Sequence, residues 1–134
     1  KKTPLTNKEI HKYARRRNPF NNQTLVYKKS RALSVGGYSN IKRCEDYEFV
    51  VKMLADGARG INLDKTLVMY RVTANNYERR NWANTKSFVN VRWKIFRMGY
   101  SNLWDFIVPC TFQFFIFIMP KSLTGKIYKR FLRR

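Results

Sequence analysis

The stretch of sequence that decides the fold runs from Arg17 to Arg71 and reads RNPFNNQTLVYKKSRALSVGGYSNIKRCEDYEFVVKMLADGARGINLDKTLVMYR. Its centre predicts a helix that begins at Glu45, because apolar residues recur there at i, i+3, i+4 and i+7. These residues are Tyr47, Val50, Val51 and Leu54. Acidic residues at the start complement the helix dipole, and Gly57 suits a left-handed cap at the end.

The segments on either side of this helix have the residue types of β-strands. Residues 24–30, Thr-Leu-Val-Tyr-Lys-Lys-Ser, predict one strand, which the pair Gly36-Gly37 separates from the helix. Residues 61–72 predict one or two more strands, interrupted at Asp64-Lys65. The sequence therefore predicts a helix flanked by strands.

Charge is the most unusual property of the composition. The 134 residues include 28 lysines and arginines against 8 acidic residues, a net charge of +20, yet 44% of the residues are apolar and 16% are aromatic. Such a composition excludes a disordered or low-complexity chain. The charge indicates an anionic partner, of which nucleic acid, anionic lipid and a phosphorylated ligand are the three candidate classes.

Cysteine and histidine are too few for several classes of site. Cys44 and Cys110 cannot form a disulfide framework, and neither has metal-ligand spacing, which favours a reducing compartment. His11 is the only histidine, which argues against His-based metal sites and against catalytic triads. The sequence starts at Lys1 without a signal-peptide pattern, so we expect it to be the C-terminal piece of a longer protein.

A set of short motifs between Arg17 and Arg71 resembles the acceptor-side half of family 2 glycosyltransferases. These are inverting enzymes of the GT-A fold that act in bacterial capsule and polysaccharide synthesis. The motifs are Asn18-Pro19-Phe20, the strand-like run to Lys28-Lys29-Ser30, Gly36-Gly37-Tyr38, Glu45-Asp46-Tyr47-Glu48, the helix end Met53-Leu54-Ala55-Asp56-Gly57, and Tyr70-Arg71. Their order and spacing carry the resemblance, since each motif alone is weak.

The resemblance implies both a fold and an activity. Residues 1–81 would form the acceptor-side part of an α/β GT-A catalytic domain. The complete enzyme would transfer a sugar from a nucleotide-diphosphate sugar to a saccharide or lipid-linked acceptor with inversion, in cell-surface polysaccharide synthesis.

Inverting transfer needs one carboxylate that takes the proton of the attacking acceptor hydroxyl. Glu45 and Asp46 lie between the Gly36-Gly37 loop and the predicted helix, where a carboxylate is held rigidly at the edge of a cleft. The resemblance assigns the role of base to Asp46, with Glu45 next in line. In the alternative interpretation, both acids only complement the helix dipole.

The remaining candidate residues would contact the acceptor or the leaving group. Gly36 and Gly37 would let the backbone approach a sugar, with Tyr38 as a stacking or hydrogen-bonding wall. An ordinary tight turn before a core aromatic residue is the alternative. Arg71 resembles a basic residue that faces the leaving diphosphate in some family members, and a solvated arginine is the other interpretation.

A metal site is not expected in this chain. Asp46 and Glu48 resemble a D-x-D motif, but residues two apart on a helix point about 200° apart and cannot chelate one ion. The resemblance instead places the ligands for Mn²⁺ or Mg²⁺, and the nucleotide pocket, upstream of Lys1.

Residues 82–134 predict a basic, aromatic-rich helical tail that associates with the membrane surface. A helix is expected around residues 88–98, and the uncharged residues 106–119 are fewer than the about 20 that a membrane span needs. Residues 122–134 predict a last helix whose apolar stripe has a basic rim, which is typical of a helix lying on anionic lipid. We therefore expect a peripheral position on the cytoplasmic face of the cell membrane.

Two other functions compete with the transferase. A noncatalytic membrane-anchoring module stays open, because the donor half lies outside the sequence. Nucleic-acid binding is disfavoured, because the aromatic residues concentrate in residues 106–117 instead of alternating with basic residues. No RNP, KH or zinc pattern occurs either, so nucleic acid is not an expected partner.

Overall fold

The computed structural model describes residues 3–69, 71 and 81–118. Over these ranges the secondary structure is helical. The α-helices are α1 (Asn7–Ala14), α2 (Lys29–Ser34), α3 (Glu45–Ala55), α4 (Trp82–Arg97) and α5 (Leu103–Ile118), and a short 3-10 helix covers Asn22–Thr24.

The core lies around α3, the helix that the sequence predicts from Glu45 onwards. Its predicted apolar face is buried and packs against α1 and α4. The buried cluster consists of Ile10 and Ala14 from α1, Tyr47, Val50, Val51 and Leu54 from α3, and Val91 and Ile95 from α4. Burial of a large apolar side chain contributes about 1.5–3 kcal/mol, so this cluster is the main source of stability for the helices around it.

The opposite face of α3 is also buried. Phe49 and Met53 pack against Ala32 of α2, with Leu25 and Val35 at the edge of the cluster. Helix α3 is therefore packed on two faces, and this packing fixes the position of the residues at its N-terminus.

Helix α1 was not predicted, although its start has a recognisable signal. Thr6 and Glu9 form a capping box, in which the Thr6 hydroxyl accepts from the Glu9 N–H and the Glu9 carboxylate accepts from the Thr6 N–H. Such a cap satisfies two backbone donors that a helix start leaves open. It allows α1 to form within a polar segment that has only Ile10 and Ala14 to bury.

The strand predicted over residues 24–30 is wrong. Thr24 ends the 3-10 helix, Leu25 and Lys28 have extended backbone angles, and Lys29 already begins α2. No strand is assigned to residues 61–69 or to Arg71, while Tyr70 and Val72 lie outside the described residues. An extended segment becomes a strand only when a neighbouring strand takes up its backbone hydrogen bonds, and the described residues supply no such neighbour. The α/β fold is therefore not confirmed.

The helix expected around residues 88–98 is confirmed as α4, which stops where Gly99 takes a left-handed φ of +71°. α4 follows the predicted domain boundary at residue 81 and packs into the core with α1 and α3. The boundary itself stays a prediction.

Helix α5 packs against α4 and includes most of the uncharged segment. No helix among the described residues is long and apolar enough to span a membrane. The helix predicted over residues 122–134 lies outside the described residues.

Candidate acceptor-side active site

The candidate base sits at the N-terminus of α3. The chain enters this helix through Cys44, whose φ of 64° is left-handed, and the next residues place Glu45, Asp46 and Glu48 in the first turn. Negative side chains are stabilised at this end of a helix by the unpaired N–H groups and the helix dipole. The predicted start of the helix at Glu45 is confirmed, and with it the position of the two candidate acids.

Asp46 is half-buried and held by two hydrogen bonds. Its Oδ1 accepts from the backbone N–H of Tyr47 at 2.8 Å, and its Oδ2 accepts from the Asn18 side-chain amide at 3.0 Å. A carboxylate has about four lone-pair positions, so each oxygen can accept one more hydrogen bond. Asp46 is thus oriented by the protein and still able to accept a proton from a ligand. For Glu45, which is also half-buried, the structure records no comparable hydrogen bond.

The Gly36-Gly37 turn connects α2 to the segment before α3. Both glycines have left-handed φ values, +76° and +63°, and their N–H groups close the C-terminus of α2 by bonding to Leu33 and Ala32. A Cβ at either position would meet no atom within 4 Å, so the backbone conformation, not crowding, requires glycine. The Lys52 ammonium of α3 donates to the Gly37 carbonyl at 3.0 Å and ties this turn to the helix.

Tyr38 forms an aromatic surface beside these residues. Its ring stacks on the fully buried Phe49 with a centroid distance of 4.2 Å and an interplanar angle of 21°, while 44% of the side chain stays exposed. Its hydroxyl donates to the Asn22 side-chain oxygen at 3.4 Å. Phe49 therefore fixes one face of the ring, and the side chain stays partly exposed.

The pKa of Tyr38 is raised by its surroundings, which include the acids of α3. Burial is the largest cause of this rise in pKa, followed by a hydrogen bond with Tyr27 and the charge of Tyr27. The negative charges of Asp46 and Glu45 raise the pKa further. The hydroxyl therefore keeps its proton at neutral pH. Tyr38 thus lies within electrostatic range of Glu45 and Asp46, and the roles of these residues stay a prediction.

Two candidate positions fall outside this group. Glu48 is 5% exposed and pairs with Lys94 of α4 at 3.1 Å, so it points into the protein and shares no ligand position with Asp46. Arg71 is exposed, and no described contact links it to Asp46 or Tyr38. Among residues 3–69, 71 and 81–118, no group of three His, Cys, Asp or Glu side chains could hold a metal ion.

Sequence reasoning missed the supports of the site. Asn18, Phe49 and Lys52 hold Asp46, Tyr38 and the glycine turn respectively. Asn18 belongs to one of the motifs, which was the available signal, but its contact with a residue 28 positions later depends on the tertiary fold.

Comparison with known proteins finds similarity to bacterial glycosyltransferases. The chain is 35% identical over 135 residues to the UDP-Gal:alpha-D-GlcNAc-diphosphoundecaprenol beta-1,3-galactosyltransferase of Escherichia coli, covering 100% of this chain and 49% of that protein. It is 33% identical to an uncharacterized glycosyltransferase of Haemophilus influenzae, with 98% of this chain and 49% of the relative covered. It is 29% identical to the amylovoran biosynthesis glycosyltransferase AmsE of Erwinia amylovora, with 95% and 47% covered.

The other two comparisons give no match: no protein-family model and no solved structure matches the chain. The chain spans about half the length of the curated relatives it matches. Its relatives are thus named as bacterial glycosyltransferases, and the similarity extends over nearly all of this chain and about half of each of them.

Proposed function

We propose that this chain is the acceptor-side part of an inverting glycosyltransferase of family 2 and the GT-A fold, acting in bacterial cell-surface polysaccharide synthesis. The observation that carries the proposal is the half-buried carboxylate of Asp46, which two hydrogen bonds orient at the N-terminus of α3. The partly exposed ring of Tyr38 stacks on Phe49 of the same helix. Similarity to glycosyltransferases over nearly the whole chain supports it.

In this proposal Asp46 is the general base. An acceptor hydroxyl lies against its free lone pairs and gives its proton to the carboxylate, while the hydroxyl oxygen forms a bond to the anomeric carbon of the donor. The bond from that carbon to the diphosphate oxygen breaks, and the nucleotide diphosphate leaves with the electron pair. Attack and departure on opposite faces invert the anomeric centre.

The substrates proposed are a nucleotide-sugar donor and a saccharide or lipid-linked acceptor. The E. coli relative's name gives UDP-Gal as donor and a GlcNAc-diphosphoundecaprenol as acceptor, and this pair is the first to test. The acceptor sugar would stack on Tyr38 beside the Gly36-Gly37 turn, and Arg71 would face the diphosphate.

A divalent ion, Mn²⁺ or Mg²⁺, is proposed for the complete enzyme but not for these residues. The described part of the chain lacks a cluster of acidic, His or Cys side chains that fits such an ion. No step of the mechanism on this chain is therefore assigned to a metal. The ion's ligands and the nucleotide pocket would belong to the part of the relatives that this chain does not cover.

We also propose that the chain lies on the cytoplasmic face of the membrane. Helix α5 supports this, because eight large apolar side chains are exposed along it, each by 39–69%: Leu103, Trp104, Ile107, Val108, Phe112, Phe114, Phe115 and Ile118. At 100° per residue they occupy one half of the helix circumference. An exposed apolar face on a chain of charge +20 fits an anionic lipid surface.

The proposed activity is tested with Asp46→Asn in the complete polypeptide that contains this chain, assayed with UDP-galactose and a GlcNAc-diphospho-lipid acceptor. Loss of a general base lowers turnover by about 10² or more, and donor binding should survive. The matched control is Asp64→Asn, a carboxylate removed from an exposed loop, which should keep wild-type turnover. Near-normal turnover of Asp46→Asn would reject Asp46 as the base and transfer the test to Glu45→Gln.

A further inference from the structure

Asn18 is part of a motif to which the proposed mechanism assigns no role. Its side chain makes two contacts at the candidate site: Oδ1 accepts from the backbone N–H of Phe20 at 3.1 Å, and Nδ2 donates to Asp46 Oδ2 at 3.0 Å. A backbone N–H can only donate and an ionised carboxylate can only accept, so the two partners together fix the orientation of the amide.

The backbone that carries Asn18 is itself held on both sides. After it, the fully buried Pro19 offers its carbonyl to the Asn62 side chain at 3.0 Å, and the same amide donates to the Pro4 carbonyl at 2.7 Å. Before it, the Ala14 carbonyl accepts from the buried Tyr47 hydroxyl at 2.6 Å. A short segment fixed at both ends can hold a side chain within the tolerance that catalysis demands.

We propose that Asn18 is the positioning residue of the base, and that its amide N–H orients the Asp46 carboxylate. The inference rests on the proposed role of Asp46. A neutral amide suits this task, because it donates a hydrogen bond to the charged carboxylate and has no proton to transfer to it. A cation in the same place would pair with the carboxylate and make it a weaker base.

Other titratable groups also lie near Asp46. Cys44 and Glu45 precede it in the chain, and Tyr38 faces it from the loop after α2. The positive charges of Arg92 and Arg43 also act on Cys44. Since these groups stay the same in variants of Asn18, a changed pH dependence in such variants reports on the Asn18 contact.

The test compares Asn18→Asp with the wild type in the complete polypeptide, using UDP-galactose and a GlcNAc-diphospho-lipid acceptor. Aspartate has the shape of asparagine and keeps the oxygen that accepts from Phe20, but it replaces the donor to Asp46 by a second carboxylate. We expect kcat to fall by about 10–100-fold, which is the usual effect of losing a residue that orients a functional side chain. The KM for the donor should stay within about twofold of the wild-type value. The acidic limb of the pH profile should move to higher pH, because a like charge at hydrogen-bond distance opposes ionisation of the base.

A purely structural role would give a different result, namely the same fractional loss at every pH. That outcome, or unchanged kcat, would overturn the positioning role. If the Asn18→Asp variant does not fold, Asn18→Ala replaces it, and the acidic limb of its pH profile should move in the same direction by a smaller amount. The control is Asn90→Ala, at an exposed position on α4, which should leave kcat and the pH profile unchanged. Near-normal turnover of Asp46→Asn would instead reject the proposed role of Asp46 as the base, so the two failures are distinguishable.

Discussion

At the start of α3 the backbone is strained at Cys44, and the surroundings of this residue lower the reactivity of its thiol. Cys44 holds a left-handed φ of 64° despite its Cβ, a conformation that costs about 1–3 kcal/mol and needs support from its surroundings. Burial raises the pKa of its thiol to about 11, and the charges of Asp46 and Glu45 add to the rise, while Arg92 and Arg43 oppose it. The cysteine beside the candidate base is therefore not a competing nucleophile.

This environment makes Cys44 a reporter of the Asp46 charge that needs no substrate. In a Cys110→Ser background, iodoacetamide should alkylate Cys44 at pH 8 about tenfold more slowly than a free thiol, because the smaller thiolate fraction outweighs its greater nucleophilicity. The rate should rise with pH up to about 11, the pKa of Cys44. Asp46→Asn removes a charge that raises this pKa, so it should speed the reaction.

The control for this experiment is Asp56→Asn, at the far end of α3, which should leave the rate unchanged. An equal alkylation rate in Asp46→Asn and the wild type would contradict the effect of the Asp46 charge on the Cys44 thiol.

Residue types alone predicted part of this site. Glu45 and Asp46 at a helix start follow from local sequence, because the helix pattern and the dipole preference lie within one segment. The Asn18 contact does not, since it joins residues 28 positions apart. The stacking of Tyr38 on Phe49 likewise depends on the path of the Gly36-Gly37 turn, which places the ring over α3.

Among the elements, α5 is joined to α1 by one buried carboxylate. Asp105, with 4% of its side chain exposed, forms ion pairs with Arg15 and Arg16 just after α1. It also exchanges hydrogen bonds with Asn102, which caps the start of α5. Burial alone raises the pKa of Asp105, but the bonds from Arg16 and Asn102 and the two arginine charges outweigh it, so the pKa lies below its ordinary value.

The lowered pKa gives a pH dependence with a definite sign. A carboxyl whose folded pKa is depressed adds stability above its ordinary pKa of about 3.9, and this contribution disappears as the pH falls through the folded value. In urea unfolding, Asp105→Asn should therefore lower the free energy of unfolding at pH 7 by about 1–3 kcal/mol, since it leaves two arginines without their partner. The difference from the wild type should shrink as the pH drops below about 4.

The exposed pair of Asp56 with Arg31 supplies the control for this measurement. Its side chains are 47% and 52% exposed, so Asp56→Asn should cost at most about 1 kcal/mol. An equal loss in the two variants, or a difference for Asp105→Asn that does not change with pH, would contradict the role of Asp105 as the clamp between α1 and α5.

The elements differ in how far sequence could predict them. Helices α3 and α4 have their apolar residues at helical spacing, and this signal needs no knowledge of the rest of the fold. Helix α1 is too polar to show this apolar spacing, and its capping box is the sequence feature that indicates it. The strand prediction over residues 24–30 rested on residue types, and β-propensity reports packing against neighbouring strands instead of an intrinsic backbone preference.

At the scale of the whole molecule, the segments with strand-like composition line one open cleft. The cleft has a volume of about 1280 Å³, and its lining includes Val26, Tyr27, Leu67 and Val68 together with Val50 and Met53 of α3. Val26 is 92% exposed and Leu67 is 60% exposed, so their apolar side chains are not covered within the described part of the chain. Their composition suits a buried sheet, which explains why sequence alone predicts strands there.

At the same scale, the exposed half of α5 is an apolar surface left uncovered within the described part of the chain, and it leads to a test of membrane binding. We expect the chain to float with vesicles that contain phosphatidylglycerol far more than with pure phosphatidylcholine, and to bind less as salt rises, because nearby lysines and arginines each add about 1 kcal/mol of attraction to anionic lipid.

Apolar insertion should act together with charge. Trp104→Ser with Phe115→Ser, which removes two side chains exposed by 69% and 65%, should therefore weaken binding more than tenfold, since a buried aromatic side chain contributes about 1.5–3 kcal/mol. Leu33→Ser is the matched control, because Leu33 is 67% exposed on α2 and should not insert with α5. Binding that ignores lipid charge and ionic strength would contradict the peripheral position, and binding that survives the double substitution would show that α5 is not the inserted face.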